Sequence, residues 1–176
     1  GNCVTSFYAA GPIDALTIRV TGEVDVTDTA GVIRAAEPLP AAVFLRSTPL
    51  TGITASVAAF ADRFAGPPPL QALHAMMRVL HGELRFEVGG TDVTTTAEAA
   101  LAAGHGVCQD FAHLFVAAAR RLGVPARYVS GHLVRTDEQE AAHAWAEALV
   151  PDLGWVAFDP ANGVCATDAY VRVAVG

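Results

Sequence analysis

Apolar positions recur at helical spacing from about residue 51 to residue 122 and at strand spacing over much of what lies before and after. Val57, Phe60, Ala61 and Phe64 mark one face of a helix that Thr51 or Thr54 can cap, and the "GPPP" at 66–69 stops it near Phe64. A second helix is predicted from about Leu70 to Leu80. A short alanine-rich helix, Ala97 to Ala103, has a capping choice in the Thr94 to Thr96 run and is closed by Gly104. The fourth runs from about Val107 to Leu122 and places Phe111, Leu114, Phe115, Ala118 and Leu122 on one side, with Gly123 as its stop and Pro125 beyond.

From residue 126 the period changes to two. "ARYVSGHLV" (Ala126 to Val134) reads as a strand, and the polar turn "RTDEQE" follows it. "AAHAWAEALV" (Ala141 to Val150) puts His143, Trp145, Glu147 and Leu149 on one face. After the turn "PDLG", Trp155, Ala157 and Asp159 share a face of a third strand that Pro160 ends. Three strands joined by short turns make an antiparallel meander, and a hairpin centred on PDLG brings His143 and Asp159 to the ends of neighbouring strands. Upstream, "ALTIRVTGEVDV" (Ala15 to Val26) predicts one or two strands, and Pro38, Pro40 and Pro49 mark a connection. The expected organisation is therefore a β-rich segment over 1–46 and an α+β core over 47–176.

Composition narrows the class. With 176 residues and 52% hydrophobic content, the chain can bury one sizeable core. Eleven Lys+Arg against 18 Asp+Glu give a net charge of −7, and no basic run could follow a phosphate backbone or an anionic bilayer, so neither nucleic acid nor membrane is an expected partner. Apolar runs such as Ala112 to Ala119 are too short to span a bilayer, and the opening residues lack signal-peptide character. Cys3, Cys108 and Cys165 are an odd, scattered set rather than a disulfide framework. These features lead to the expectation of a soluble, cytoplasmic chain.

The chemistry concentrates on Cys108, in the first turn of the fourth helix, where unpaired N–H groups and the macrodipole favour a thiolate. Position alone also fits an inert core cysteine. A nucleophilic thiol needs an imidazole to carry its proton and a third group to fix the ring's tautomer, and His143 and Asp159 supply both in the order Cys, His, Asp. The spacings of His105, Cys108, His113 and His143 match no zinc finger or ribbon. Asp137, Glu138 and Glu140 lack the pattern of a calcium loop, so no metal and no cofactor is expected. His113 and His132 read as structural, His105 as lining the loop beside the sulfur, and Asp110 as a carboxylate that offsets the helix dipole. Trp145 and Trp155 read as core packing, and Cys3 and Cys165 as bystanders. Gln109 is left without a role.

The blocks "GHGVCQDFAHLF", "GVPARYVSGHL" and "HAWAEALVPDLGWVAFDP", in this order over about residues 95 to 173, resemble the bacterial branch of the transglutaminase-like superfamily of papain-type cysteine enzymes. The resemblance implies a papain-like fold, with the helix bearing Cys108 packed on an antiparallel sheet that bears His143 and Asp159. It carries the family's triad onto those three residues. It also implies that residues 1 to about 46 are the end of a preceding β-domain and that relatives continue beyond "AYVRVAVG". The function it implies is acyl transfer through a thioester on a protein or peptide substrate. Water as acceptor makes a protease or amidase, an amine acceptor makes a transglutaminase, and the sequence does not choose between them. The alternative from another class is a binding or assembly module that keeps the fold alone.

Overall fold

Threonine and proline decide where the helices begin. The computed structural model describes residues 2–34, 37–134 and 142–176. A two-residue strand, β1 (Val32–Ile33), and a 3-10 turn (Ala41–Leu45) lead into helix α1 (Ala55–Asp62), whose Thr54 hydroxyl accepts the Val57 N–H at 3.4 Å. Helix α2 (Pro69–Glu83) opens with the last proline of GPPP at its first position, where a missing N–H is harmless. The same prolines that stop one helix thus start the next, and α2 runs three residues past the expected Leu80. Strand β2 (Arg85–Phe86) precedes α3 (Ala97–Ala103), which Thr96 caps and Gly104 ends at φ 69°. Then come β3 (His105–Gly106) and α4 (Cys108–Arg121). The chain finishes with β4 (Ala126–Leu133), β5 (Ala142–Val150), β6 (Gly154–Asp159), β7 (Val164–Cys165) and β8 (Tyr170–Val175).

The sheet runs β1-β6-β5-β4-β8, with β7 also on β6, and every pairing in it is antiparallel. The expected meander is its centre. Val150 pairs with Gly154, and the turn between them uses positive φ at Asp152 (65°) and Gly154 (91°). Ala146 pairs with Phe158, so the register continued by one residue sets Asp159 opposite Trp145 and on the diagonal from His143. A parallel pairing of β2 with β3, Arg85 with His105 and Phe86 with Gly106, lies apart from the sheet and leads directly to the start of α4.

Helix α4 lies across one face of the sheet. Ala146 and Ala148 keep that face low, and Phe115 stacks on Phe158 at 5.2 Å between ring centroids. Truncating either ring would cost about 3–5 kcal/mol. Every residue from Asp110 to Ala119 is buried, more than the one-sided stripe predicted, because α1, α2 and α3 cover the helix where the sheet does not. By the two-residue pleat the opposite face carries Val129, Trp145, Ala157 and Tyr170. It also carries a buried ion network in which Glu147 (0% exposed) accepts Arg127 Nε at 2.7 Å and Arg172 Nε at 2.7 Å. Glu37 closes the network on Arg127, whose guanidinium lies 3.9 Å over Trp155.

Two expectations meet a different outcome. Ala15 to Val26 forms no strand, and Ile18, Val20 and Val24 stand exposed. Alternation becomes a strand only where a neighbouring edge supplies hydrogen bonds, and no other strand lies beside this stretch among the described residues. Among the described residues of 1–46, β1 is the strand that forms. Conversely, β8 was not anticipated, and it pairs along β4 through a bulge at Ser130/Gly131. There a Cβ on residue 131 would lie 2.0 Å from the Val171 carbonyl oxygen and 2.8 Å from Trp145 Cη2, so only glycine lets the strands meet. The turn "RTDEQE", with Asp137, Glu138 and Glu140, lies outside the described residues.

Candidate active site

Cys108 is the first residue of α4 and is half-buried. The residue before it, Val107, has no side chain able to cap, so the helix is capped from within. Asp110 accepts the Val107 N–H at 2.8 Å through Oδ2, and the Thr91 hydroxyl donates to the same oxygen at 2.6 Å. Asp110 thus has the dipole-offsetting position expected, with an added structural duty: it is 1% exposed and fixes the loop that presents Cys108. Gly106 makes room for it, since a Cβ there would lie 2.6 Å from Asp110 Oδ2. Gln109 reaches back to the Asp92 carbonyl at 3.4 Å and so holds the same loop.

His143, the second residue of β5, is bonded through Nε2 to Asp159 Oδ2 at 2.6 Å. Asp159 is the last residue of β6 and is 0% exposed. Its carboxylate collects five donors. Oδ2 accepts His143 Nε2, Asn162 Nδ2 at 2.7 Å and the Tyr170 hydroxyl at 2.7 Å, while Oδ1 accepts the N–H groups of Ala161 and Asn162 at 3.0 and 3.1 Å. Burial alone would raise this carboxyl's pKa, but the bonds to His143, Asn162 and Tyr170 outweigh it and hold Asp159 below the usual carboxylate range.

The imidazole shows the opposite balance. Its burial, the largest single influence, favours the neutral ring. The hydrogen bond to Asp159, then the neighbouring Cys108 thiol, and the charges of both groups overcome this and push His143 up to about 9. His143 and Asp159 are thus bonded where the start of β5 meets the end of β6, and Cys108, at the start of α4, is near enough to act on the charge of the same ring.

The remaining readings fall out as follows. His113 is buried and packs tilted against Tyr128 at 5.1 Å, a structural place, and its burial lowers its pKa. Tyr128 is itself pushed up to about 12, first by burial and then by the charges of Cys108 and Asp110. His132 is exposed on β4, whereas His105 buries Nδ1 beside Gly90. Trp155 packs edge-on against Phe44 at 4.9 Å, and Trp145 packs against both His143 and Tyr170, at 6.1 and 5.3 Å. Cys3 is exposed, and Cys165 is half-buried with its thiol pKa raised by burial. No group of three His, Cys, Asp or Glu residues able to hold a metal ion occurs among the described residues. The sequence reading missed Asn162 and Tyr170. The turn-forming string "DPANG" carried a signal for the first, while for Tyr170 there was none beyond the strand pattern of "YVRVAV".

Comparison with known proteins places this arrangement. The sequence model of the transglutaminase-like superfamily matches residues 58–160, a span that contains Cys108, His143 and Asp159. An uncharacterized protein of Mycobacterium leprae is 37% identical over 140 residues, covering 75% of this chain and 50% of its own length. One of Mycobacterium tuberculosis is 32% identical over 122 residues, covering 62% and 38%. The chain thus spans about half or less of the length of these relatives. Among solved structures, a candidate cysteine protease from Cytophaga hutchinsonii superposes with a TM-score of 0.71 at 24% identity, covering 86% of this chain and 53% of that one. The periplasmic domain of TgpA from Pseudomonas aeruginosa gives 0.56 at 22% identity, with 70% and 47% covered. With helices packed on an antiparallel sheet in the manner of these neighbours, and with more than half of its residues matched by the superfamily's model, the chain belongs to the transglutaminase-like superfamily.

Proposed function

We propose that the chain is a thiol-dependent acyl-transfer enzyme in which Cys108 is the nucleophile, His143 carries its proton and Asp159 orients and charges the ring. The observation that carries this reading is the 2.6 Å bond from His143 to a fully buried carboxylate, with the Cys108 thiol beside the same imidazole. The thiol gives its proton to the ring nitrogen that does not face Asp159, and the sulfur adds to an amide carbonyl. The tetrahedral adduct collapses with cleavage of the C–N bond, and the imidazolium returns its proton to the departing amine. The product is a thioester on Cys108. The backbone N–H of Cys108, at the free-donor end of α4, is placed to serve the developing oxyanion. A His143 pKa near 9 favours the imidazolium that this transfer leaves, the form the ring holds at neutral pH.

The substrate class is a peptide or glutamine-type amide. Water as second substrate gives hydrolysis and a primary amine gives transamidation, each passing its proton to His143. A reducing, cytoplasmic setting is part of the same proposal, since the free thiols Cys3, Cys108 and Cys165 persist there. The test is iodoacetamide labelling followed by mass spectrometry, run beside a screen of glutamine peptides with and without an amine. The expected result is that Cys108 labels fastest of the three cysteines at neutral pH, that His143→Ala abolishes this preference, and that an acyl adduct forms on Cys108 alone. Labelling of Cys108 no faster than Cys3 or Cys165, with no adduct from any peptide, would overturn the enzyme reading in favour of a binding module.

A further inference from the structure

Asp159 is supplied with more donors than one hydrogen bond to a histidine requires. Three of the five converge on the oxygen that holds His143, and two of these come from side chains of separate elements. Asn162 sits in the turn after β6, and Tyr170 is the first residue of β8, buried with its ring edge-on to Trp145. Tyr170 is carried to this point by its pairing with Leu133 across β4 and β8. Its hydroxyl points to Asp159 at 2.7 Å, and the Asn162 amide reaches the same Oδ2. A carboxylate oxygen has about two lone-pair directions, so three donors crowd it and share its charge.

We propose that Tyr170, with Asn162, is a positioning residue that fixes where the shared proton rests, holding Asp159 as the anion and keeping the proton on His143 Nε2. This rests on the reading above that His143 carries the proton of Cys108. Donors to Oδ2 withdraw charge from the carboxylate and lower its basicity, so the short bond to Nε2 does not become a transfer of the proton to Asp159. The two donors also turn the carboxylate so that Oδ2 faces the ring, while the N–H groups of Ala161 and Asn162 hold Oδ1. Among the described residues, the titratable groups that face the imidazole are Asp159, Cys108 and Tyr170, and Cys165 acts in turn on Tyr170. Removing the phenol hydroxyl leaves Asp159 less satisfied and more basic. The proton affinity of the His143–Asp159 pair then rises, whichever of the two atoms takes the proton.

The experiment is a histidine-ring NMR titration, which needs no substrate, with His143→Ala supplying the assignment. Tyr170→Phe keeps the ring contacts with Trp145 and His143 and removes only the hydroxyl. It is expected to move the His143 titration upward by about half a pH unit to one, part of the strength of a hydrogen bond to a charged group. Asn162→Ala removes the second donor and is expected to move it in the same direction, and it carries the test should Tyr170→Phe lose its fold. A purely structural role for Tyr170 would lower the melting temperature and leave the titration in place, and that result overturns the proposal. A shift in Asn162→Ala with none in a folded Tyr170→Phe overturns the assignment to Tyr170. A shift in Tyr170→Phe alongside normal Cys108 labelling in His143→Ala would instead keep the clamp and remove the catalytic reading.

Discussion

Replacing Asp159 by Asn puts the most weight on the geometry described above. An asparagine has the same shape, but one of its two terminal groups is an NH2 where Asp159 has an acceptor. If its oxygen takes the Oδ2 place, the NH2 faces the N–H groups of Ala161 and Asn162. If the oxygen takes the Oδ1 place, the NH2 faces His143, Asn162 and Tyr170. The better choice still leaves two donors without a partner, at about 1–3 kcal/mol each, or about 2–6 kcal/mol in all. At about 2–4 °C per kcal/mol for a chain of this size, the melting temperature should fall by on the order of 10 °C. The chemical loss is separate. Without the Asp159 charge, the burial of His143 is left as its main influence, and its pKa should drop from about 9 to below the ordinary 6.5. Acyl transfer should drop by roughly 10²–10⁴-fold, because the ring loses both its orientation and the stabiliser of its charged form. The assay is the pH dependence of Cys108 alkylation, read beside thermal melts and the histidine titration. A variant that melts and labels as wild type does, with His143 still titrating near 9, would refute the assignment of Asp159 to the ring.

Three further outcomes follow from the same structure. Gly131→Ala should destabilise by about 3 kcal/mol or more, because the new Cβ would stand 2.0 Å from a carbonyl oxygen that cannot move without parting β8 from β4; a melting temperature within a degree or two of wild type would contradict the close approach. Glu147→Ala strips the buried Arg127 (2% exposed) of its central partner and should cost about 3–5 kcal/mol in urea unfolding, and a loss under about 1 kcal/mol would mean the network is solvated. Stability should also depend on pH on both sides. His143 is raised above its ordinary 6.5, so its contribution is whole below that value and is lost as pH rises through about 9; Asp159 is lowered, so its contribution is lost as pH falls through its depressed value. Melting curves should show the alkaline loss in wild type and not in His143→Gln, and an identical alkaline slope in both would count against the pairing.

Much of this site was legible because its parts obey local rules. Thr54 and Thr96 cap where a hydroxyl precedes an apolar period, Cys108 opens a helix that a Gly-rich stretch introduces, and His143 and Asp159 follow from two-residue alternation across one short turn. What was not legible is non-local. Tyr170 reaches Asp159 only because β8 docks on the far side of β4, and no period within six residues encodes which edge a strand will choose. The Arg127–Glu147–Arg172 network is hidden for the same reason: charged residues at strand positions look like a solvated face until a second layer covers them. The stretch Ala15 to Val26 failed in the opposite sense. Its residues have strand propensity, but propensity without a partner edge leaves backbone groups to water.

The turn between β5 and β6 acts as a ruler for the chemistry. Val150 and Gly154 are the last paired residues, and from them the ladder counts back to Asp159 and His143, in a register that β4 on one side and β1 and β7 on the other also hold. Each residue of strand is about 3.4 Å, and each single step reverses the face a side chain occupies. A change of one residue in Pro151 to Leu153 that passed into the ladder would turn imidazole and carboxylate to opposite sides of the sheet, and one of two residues would slide them apart by more than a hydrogen bond can span. Substitutions that respect the positive φ at Asp152 and Gly154 are compatible with the site. Changes of length that shift the register are not, so the bond between imidazole and carboxylate depends on the number of residues in a surface turn that touches neither of them.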